Sequence, residues 1–289
     1  MESTLVWIHD ILFQPIQLPA HPCFLGQSSR NKLIVFADGT YLELFNWFDK
    51  PPDEDAKDQP MRVWAKKQPG LIDFALSCLP TSTAEAHFDA CVARLQIGEG
   101  DGGLGVGYTA PEAGGRTRKD GVQVRWKVSR PEFAKAVNTP DEALFPNGRI
   151  DAPFFCYDVS SRDVRVPFKD KEKTTHPCGA TGVAAVEILI PKAKMDAYVK
   201  LYSSILGSSP TVVGEEDREN GSVFQIGLPV QSAGLSAVRL RSEQDTRDVA
   251  YLQERGIGVS GLTLTVGEGR TGVKGRLGAE GIASTISLQ

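Results

Sequence analysis

Apolar and polar positions are most sharply patterned between Asn31 and Trp47, NKLIVFADGTYLELFNW. Leu33 to Phe36 form one apolar run and Tyr41 to Phe45 a second, with Asp38-Gly39 between them. Asp-Gly between two strand-like runs predicts a β-hairpin. Side chains alternate along a strand, so Tyr41, Glu43 and Phe45 share one face and Leu42 and Leu44 the other. Glu43 is thus a lone carboxylate in an apolar strand. It must face a polar cavity, a cation or solvent, because an unpaired buried charge is costly.

The pattern continues in two similar segments. GLIDFAL (70–76) reads as a strand and TAEAHFDACVARL as the helix after it, with Phe88, Val92 and Leu95 at helical spacing. GVAAVEILIP followed by KMDAYVKLYSSILG repeats this, with Tyr198, Leu201, Tyr202 and Ile205 as the stripe. A residue among Thr81, Ser82 and Thr83 is expected to cap the first helix, with Glu85 in capping-box range, and Gly207 to end the second. Short strands are expected at Val122–Val128, Pro153–Asp158, Ser222–Leu228, Ala237–Leu240 and Val259–Val266. Repeated strand–helix–strands units predict an α+β protein. Gly98–Gly107 lacks a P-loop ending and reads as a flexible loop, and Asp49–Asp58 as an exposed connector.

A net charge of −4 over 289 residues gives no electrostatic case for nucleic acid or an anionic membrane as partner. No apolar run reaches the length of a membrane span. Five widely spaced cysteines (Cys23, Cys78, Cys91, Cys156, Cys178) form no CxxC, which suits reduced thiols and a cytoplasmic setting.

The stretches 31–47, GLIDFAL (70–76), GGRTRKDGVQVRWKV (114–128), APFF (152–155) and HPCGATGVAAVEI (176–188), in that order, resemble the glyoxalase-like proteins of the vicinal oxygen chelate superfamily. The resemblance implies βαβββ modules forming a curved, cup-like sheet around a small-molecule substrate. It implies a glyoxalase-like domain over 1–162, a linker with a His-Pro motif over 163–181 and an additional βαβββ-like unit over 182–289. The first βα unit is expected to be incomplete. Only about 20 residues separate His9 from Asn31, too few for a helix and its turns, and Pro15, Pro19 and Pro22 oppose one.

The resemblance also implies lyase- or isomerase-type chemistry on an oxygenated substrate, assisted by a divalent metal such as Fe, Mn, Zn or Ni. Its ligand candidates are Glu43, Asp73 and His9. One histidine with two carboxylates suits Fe(II) or Mn(II) better than zinc. The ligand set is incomplete for glyoxalase I activity itself. Two alternatives stand beside this: a metal-free ligand-binding or sequestration protein, and a metal-independent cyclase or isomerase. A homodimer fits the superfamily's habit of pairing modules between chains, although units within one chain can also close a cup.

Among individual residues, His176 precedes Pro177 and a run of small residues, so it is read as an acid–base group or as a histidine tying the linker to the sheet. Arg116 is read as anchoring a substrate carboxylate or pairing with Glu43. Trp126 is read as cup wall, and Asn31 as ordering the hairpin or donating to ligand. His87 is expected at the surface. Cys178 is two residues from His176, with no third group to make it a nucleophile.

Overall fold

The computed structural model describes residues 2–9, 29–47, 64, 70–78, 82–96, 100–118, 120–133, 152–212, 223–228, 237–267, 274–276 and 285–289. Asp49–Asp58, Cys23 and the three prolines before Asn31 lie outside these residues.

The first sheet contains β1 (Glu2–His9), β2 (Ser29–Val35), β3 (Tyr41–Trp47), β4 (Gly70–Ser77), β6 (Glu112–Thr117), β7 (Gln123–Ser129) and β9 (Phe154–Asp158). Their order is β2-β3-β1-β4-β9-β7-β6. β5 (Val106–Tyr108) and β8 (Pro131–Phe133) pair apart from it. Helix α1 (Ala84–Gln96) follows β4, and β4 runs parallel to β9, which is antiparallel to β7, as β7 is to β6. This is one full βαβββ unit. β1 runs parallel to β3, and β3 is antiparallel to β2: the same plan with one strand fewer. The two units join antiparallel through β1 and β4.

The second sheet repeats this plan with the full unit first. β10 (Ala180–Ile190), α4 (Met195–Leu206), β11 (Pro210–Val212), β12 (Val223–Gly227) and β13 (Ala237–Ser242) form a βαβββ unit in which β10 is parallel to β13. β14 (Gly258–Val266), β15 (Lys274–Arg276) and β16 (Thr285–Leu288) form the short unit, joined antiparallel through β14 and β10. The short helices α2 (Arg162–Arg165) and α3 (Lys171–Thr174) lie in the connector between the sheets. Helix α5 (Thr246–Arg255) was not expected from the sequence. Its one buried residue is Tyr251, too thin an apolar stripe to read, although Asp245 caps it by accepting from the backbone of Arg247 and Asp248.

One apolar core spans the inner faces of both sheets. Leu42, Phe74, Leu76 and Tyr157 of the first meet Val186, Ile188, Leu240 and Leu262 of the second, with α1 and α4 between them. Arg94 of α1 donates to the Ser204 and Ile205 carbonyls at 2.6 and 3.1 Å. These lie at the C-terminus of α4, where unpaired carbonyls and the helix dipole favour a cation. Gly207 then ends α4 in the left-handed region, as its position predicts. Thr83 caps α1 by accepting from Ala86, but Glu85 makes no capping box and pairs with Lys127 instead.

Two glycines set close approaches between the halves. The Asp38-Gly39 hairpin forms as expected, with Gly39 at φ 85°, and its tip docks on β10. Asp38 donates its backbone N–H to the Thr181 carbonyl, and Val183 donates to the Thr40 hydroxyl, each at 3.2 Å. A Cβ on Gly182 would fall 2.0 Å from Asp38 Oδ2. The described part of the glycine-rich segment is not a loose loop. Asp101 accepts from the N–H groups of Gly103 and Gly105, and a Cβ on Gly102 would lie 2.2 Å from the Ala197 carbonyl. Glycine is used here for contact with α4.

Candidate functional site

The register of the first sheet places the expected carboxylates in one cross-strand row. Trp7 of β1 pairs with Glu43 of β3 on one side and with Asp73 of β4 on the other. The face carrying this row is the cup face. An apolar cluster of Tyr41, Phe45, Ala75, Phe154, Cys156, Trp64 and Val166 lines it, with Trp126, Val128 and Phe168 packed against them.

Glu43 is buried in this face, and Asn31 donates its side-chain N–H to Glu43 Oε1. Burial raises the Glu43 pKa to about 7, against a smaller downward pull from Asn31 and the Arg165 guanidinium. A buried carboxyl poised near neutrality is the state a proton-transfer group requires. Asn31 thus orders the site through Glu43.

Asp73 is also buried, but it is used locally. Its Oδ2 accepts from Trp64 Nε1 at 2.7 Å and its Oδ1 from the Phe74 N–H at 2.9 Å. Between the two carboxylates the sheet carries Trp7. Continuing the β4–β9 register two residues back from Ala75–Phe154 brings Ala152 beside Asp73. His9 lies one pair further along, against Phe45 and Gly70, and its side chain is outside the described residues. Among the described residues no three His, Cys, Asp or Glu side chains converge. The two described members of the expected ligand set, Glu43 and Asp73, have oxygens that face N–H donors, and the neighbouring positions carry tryptophan and alanine.

A strap from Ser161 to Phe168 crosses this face. Arg162 donates to the Gly39 carbonyl of the β2–β3 hairpin at 2.7 Å, and Arg118 of the β6–β7 hairpin donates to the Val164 carbonyl at 3.1 Å. Val166 is fully buried in the cluster beneath. Arg165 donates to Asp158 Oδ1 at 2.6 Å and to the Tyr41 hydroxyl at 3.0 Å, while Arg162 takes Asp158 Oδ2 at 2.8 Å. Burial works against the Asp158 charge, but the two guanidinium groups outweigh it and hold the carboxyl below its usual range. Arg165 was missed in the sequence because it sits in the stretch read as linker, and Arg162 because it lies at the edge of that stretch. The alternation of Val164, Val166 and Phe168 was the available signal.

Arg116 sits on β6 opposite Val124, two residues from the Gly114–Trp126 pair. A Cβ on Gly114 would lie 2.6 Å from Trp126 Nε1, so glycine lets the indole cover the strand there. Trp126 is cup wall, as expected. Arg116 does not pair with Glu43, and its Nε is buried with no hydrogen-bond partner among the described residues. Burial, then the charges of Arg165 and Arg118, lower its pKa.

The histidines fall elsewhere. His176 Nε2 hydrogen-bonds the Val35 carbonyl at 2.8 Å and its ring meets Phe36 edge-on at 5.1 Å, so it ties the connector to the hairpin. Cys178 is exposed and forms no pair with it; Cys91 and Cys156 are also free thiols. His87 is not a surface residue. Its Nδ1 bonds the Tyr157 hydroxyl at 3.0 Å, its ring packs on Phe155 at 4.7 Å, and burial lowers its pKa to about 4. The polar side of α1 leans on β9 there, which helical spacing alone does not reveal.

A model of a glyoxalase-like domain matches residues 19–206 of the chain. The chain belongs to this glyoxalase-like family. Its α+β fold is of the vicinal oxygen chelate type. A hypothetical protein from Staphylococcus aureus shares the fold at TM-score 0.60 and 14% identity, over 100% of this chain and 98% of that one. A mutant of 4-hydroxymandelate synthase from Streptomyces coelicolor matches at TM-score 0.44 and 12% identity, over 84% of this chain and 60% of that one. Methylmalonyl-CoA epimerase from Mycobacterium tuberculosis matches at TM-score 0.25 and 23% identity, over 32% and 61%. The last two are too distant for their chemistry to bear on this chain. No curated protein matches. No described helix is long and apolar enough to cross a membrane.

Proposed function

We propose that this glyoxalase-like protein is a small-molecule enzyme of lyase or isomerase type, with Glu43 as the proton-transfer group. The reading rests on one observation: a buried carboxyl, held near pKa 7 and oriented by Asn31, on the cup face of the first sheet. Such a group can remove a proton from carbon beside a carbonyl and return it after rearrangement or elimination. Trp126 and Arg116 on the same face would bind the substrate, and the strap would exclude water. His176 takes a positioning role, because its contacts hold the connector rather than face Glu43.

The chain would then comprise a catalytic unit at 1–162 and an additional unit at 182–289 joined by 163–181. With two cups in one chain, a homodimer is not required to complete the site. The free thiols suit a cytoplasmic setting.

The test is wash-in of solvent deuterium, followed by NMR, over a panel of small carbonyl compounds with and without a carboxylate. Glu43→Gln is expected to lower exchange about 10²–10⁴-fold and His176→Gln far less. Exchange that survives in Glu43→Gln overturns the proposal. The packing of Val166 and Trp64 on this face favours a second reading, a closed binding protein. Stoichiometric binding without exchange would select it.

A further inference from the structure

The cations around the first cup are unequally matched. Arg118 pairs with Asp120 at 2.6 Å, and Arg162 and Arg165 share Asp158. Arg116 has no hydrogen-bond or ion-pair partner among the described residues, and its Nε is closed off from solvent. The charges nearest to it, Arg165 and Arg118, repel it. Arg116 is half-buried, and closing off one donor of its rigid fork with no acceptor is costly. The fold nevertheless positions it carefully. Gly114 lets the Trp126 indole lie beside it, Val124 opposite is fully buried, and the strap bonds to the same hairpin through Arg118.

We infer that Arg116 is an anion subsite that takes one carboxylate of the ligand, the body of the ligand lying along Trp126. A planar carboxylate matches the guanidinium fork in two parallel hydrogen bonds and neutralises its charge. The surrounding wall is apolar: Val124, Trp126 and Val128 lie on β7, with Cys156 opposite Val128 on β9. The neighbouring cations Arg165 and Arg118 are already taken by Asp158 and Asp120, so Arg116 alone is left to match one negative charge. This deepens the proposed function, since it assigns the substrate class to the same face, but its test needs no turnover.

The test follows the arginine Nε–H signals by ¹⁵N NMR during titration with pyruvate, benzoate and inorganic phosphate. The Arg116 signal is assigned by its loss in Arg116→Lys. A saturable shift with pyruvate or benzoate, and binding at least tenfold weaker in Arg116→Gln, is the expected result. Arg116→Lys keeps the charge without the fork and is also expected to bind at least tenfold more weakly, which covers the case in which Arg116→Gln fails to fold. No shift with either carboxylate, or unchanged affinity in the variants, overturns the inference. A shift with phosphate alone overturns the carboxylate assignment. Carboxylate binding retained in Glu43→Gln separates this subsite from the proton chemistry: either one can then fail without the other.

Discussion

The two sheets share one plan and treat their charges in opposite ways. In the second, register aligns a polar row: Gln225, Arg239, Glu187, Gly261 and Thr285. Arg239 donates to Gln225 there, and Glu187 accepts from Arg241 Nε at 3.0 Å while Asp248 takes the rest of that guanidinium. These partners belong to the same half, and the Arg241, Glu187 and Asp248 side chains all retain some solvent access. In the first sheet Glu43 is fully buried against an amide, and Arg116 has no counter-charge among the described residues. A scaffold under selection only for stability pairs such groups or leaves them out. Under the proposed function the first sheet would carry the strain of a site, and the second the pairing of a structural surface.

The largest expected effect follows from the Glu43 pKa. An unfolded glutamate titrates near 4.5, and Glu43 in the fold near 7. Because the folded value is the higher, the folded state is favoured below pH 4.5 and loses that advantage as pH rises through 7. The loss is about 3 kcal/mol, from 1.36 kcal/mol per unit. Urea unfolding at pH 4.5 and pH 8 should therefore show wild type falling by about this amount relative to Glu43→Gln. A constant difference between the two proteins would place Glu43 in contact with solvent and erase the contrast with the second sheet.

A smaller effect separates two strand glycines. Gly114→Ala forces the Trp126 indole aside and should cost about 1–2 kcal/mol. Gly227→Ala meets nothing within 4 Å and should be neutral or gain about 0.5 kcal/mol. Chemical denaturation compares them, and tryptophan fluorescence should change only in the first.

These contrasts mark what the sequence could and could not reveal. The hairpin, α1, α4 and most long strands were legible, because each carries its own periodicity or turn chemistry. Glu43 stood out for the same reason, as one carboxylate in an apolar strand. What depends on register was not legible. That Asp73 faces Trp64 depends on how the loop before β4 folds back, and His87 leaning on Tyr157 and Arg165 reaching Tyr41 are contacts between segments far apart in the chain. The strap was read as linker because charged residues dominate it, while its buried contribution rests on Val166 and Phe168. The three-stranded units were legible only at the N-terminus, where prolines and a short spacing exclude a helix.

The smallest expected effect tests the contrast through its cations. Arg241→Gln leaves the Asp248 and Glu187 carboxylates without their shared donor, at sites where the Arg241 and Asp248 side chains are 17% and 16% exposed. Solvent compensates part of that loss, so the cost should be about 1 kcal/mol. Arg116→Gln removes a half-buried charge that has no such partner to strand, so the thermal midpoint should hold or rise. Opposite signs for two arginines on equivalent faces are what a ligand-completed site predicts, since the missing partner of Arg116 then arrives from solution. A loss in Arg116→Gln as large as that in Arg241→Gln would mean that Arg116 is already paired within the fold, and the two faces would no longer differ in kind.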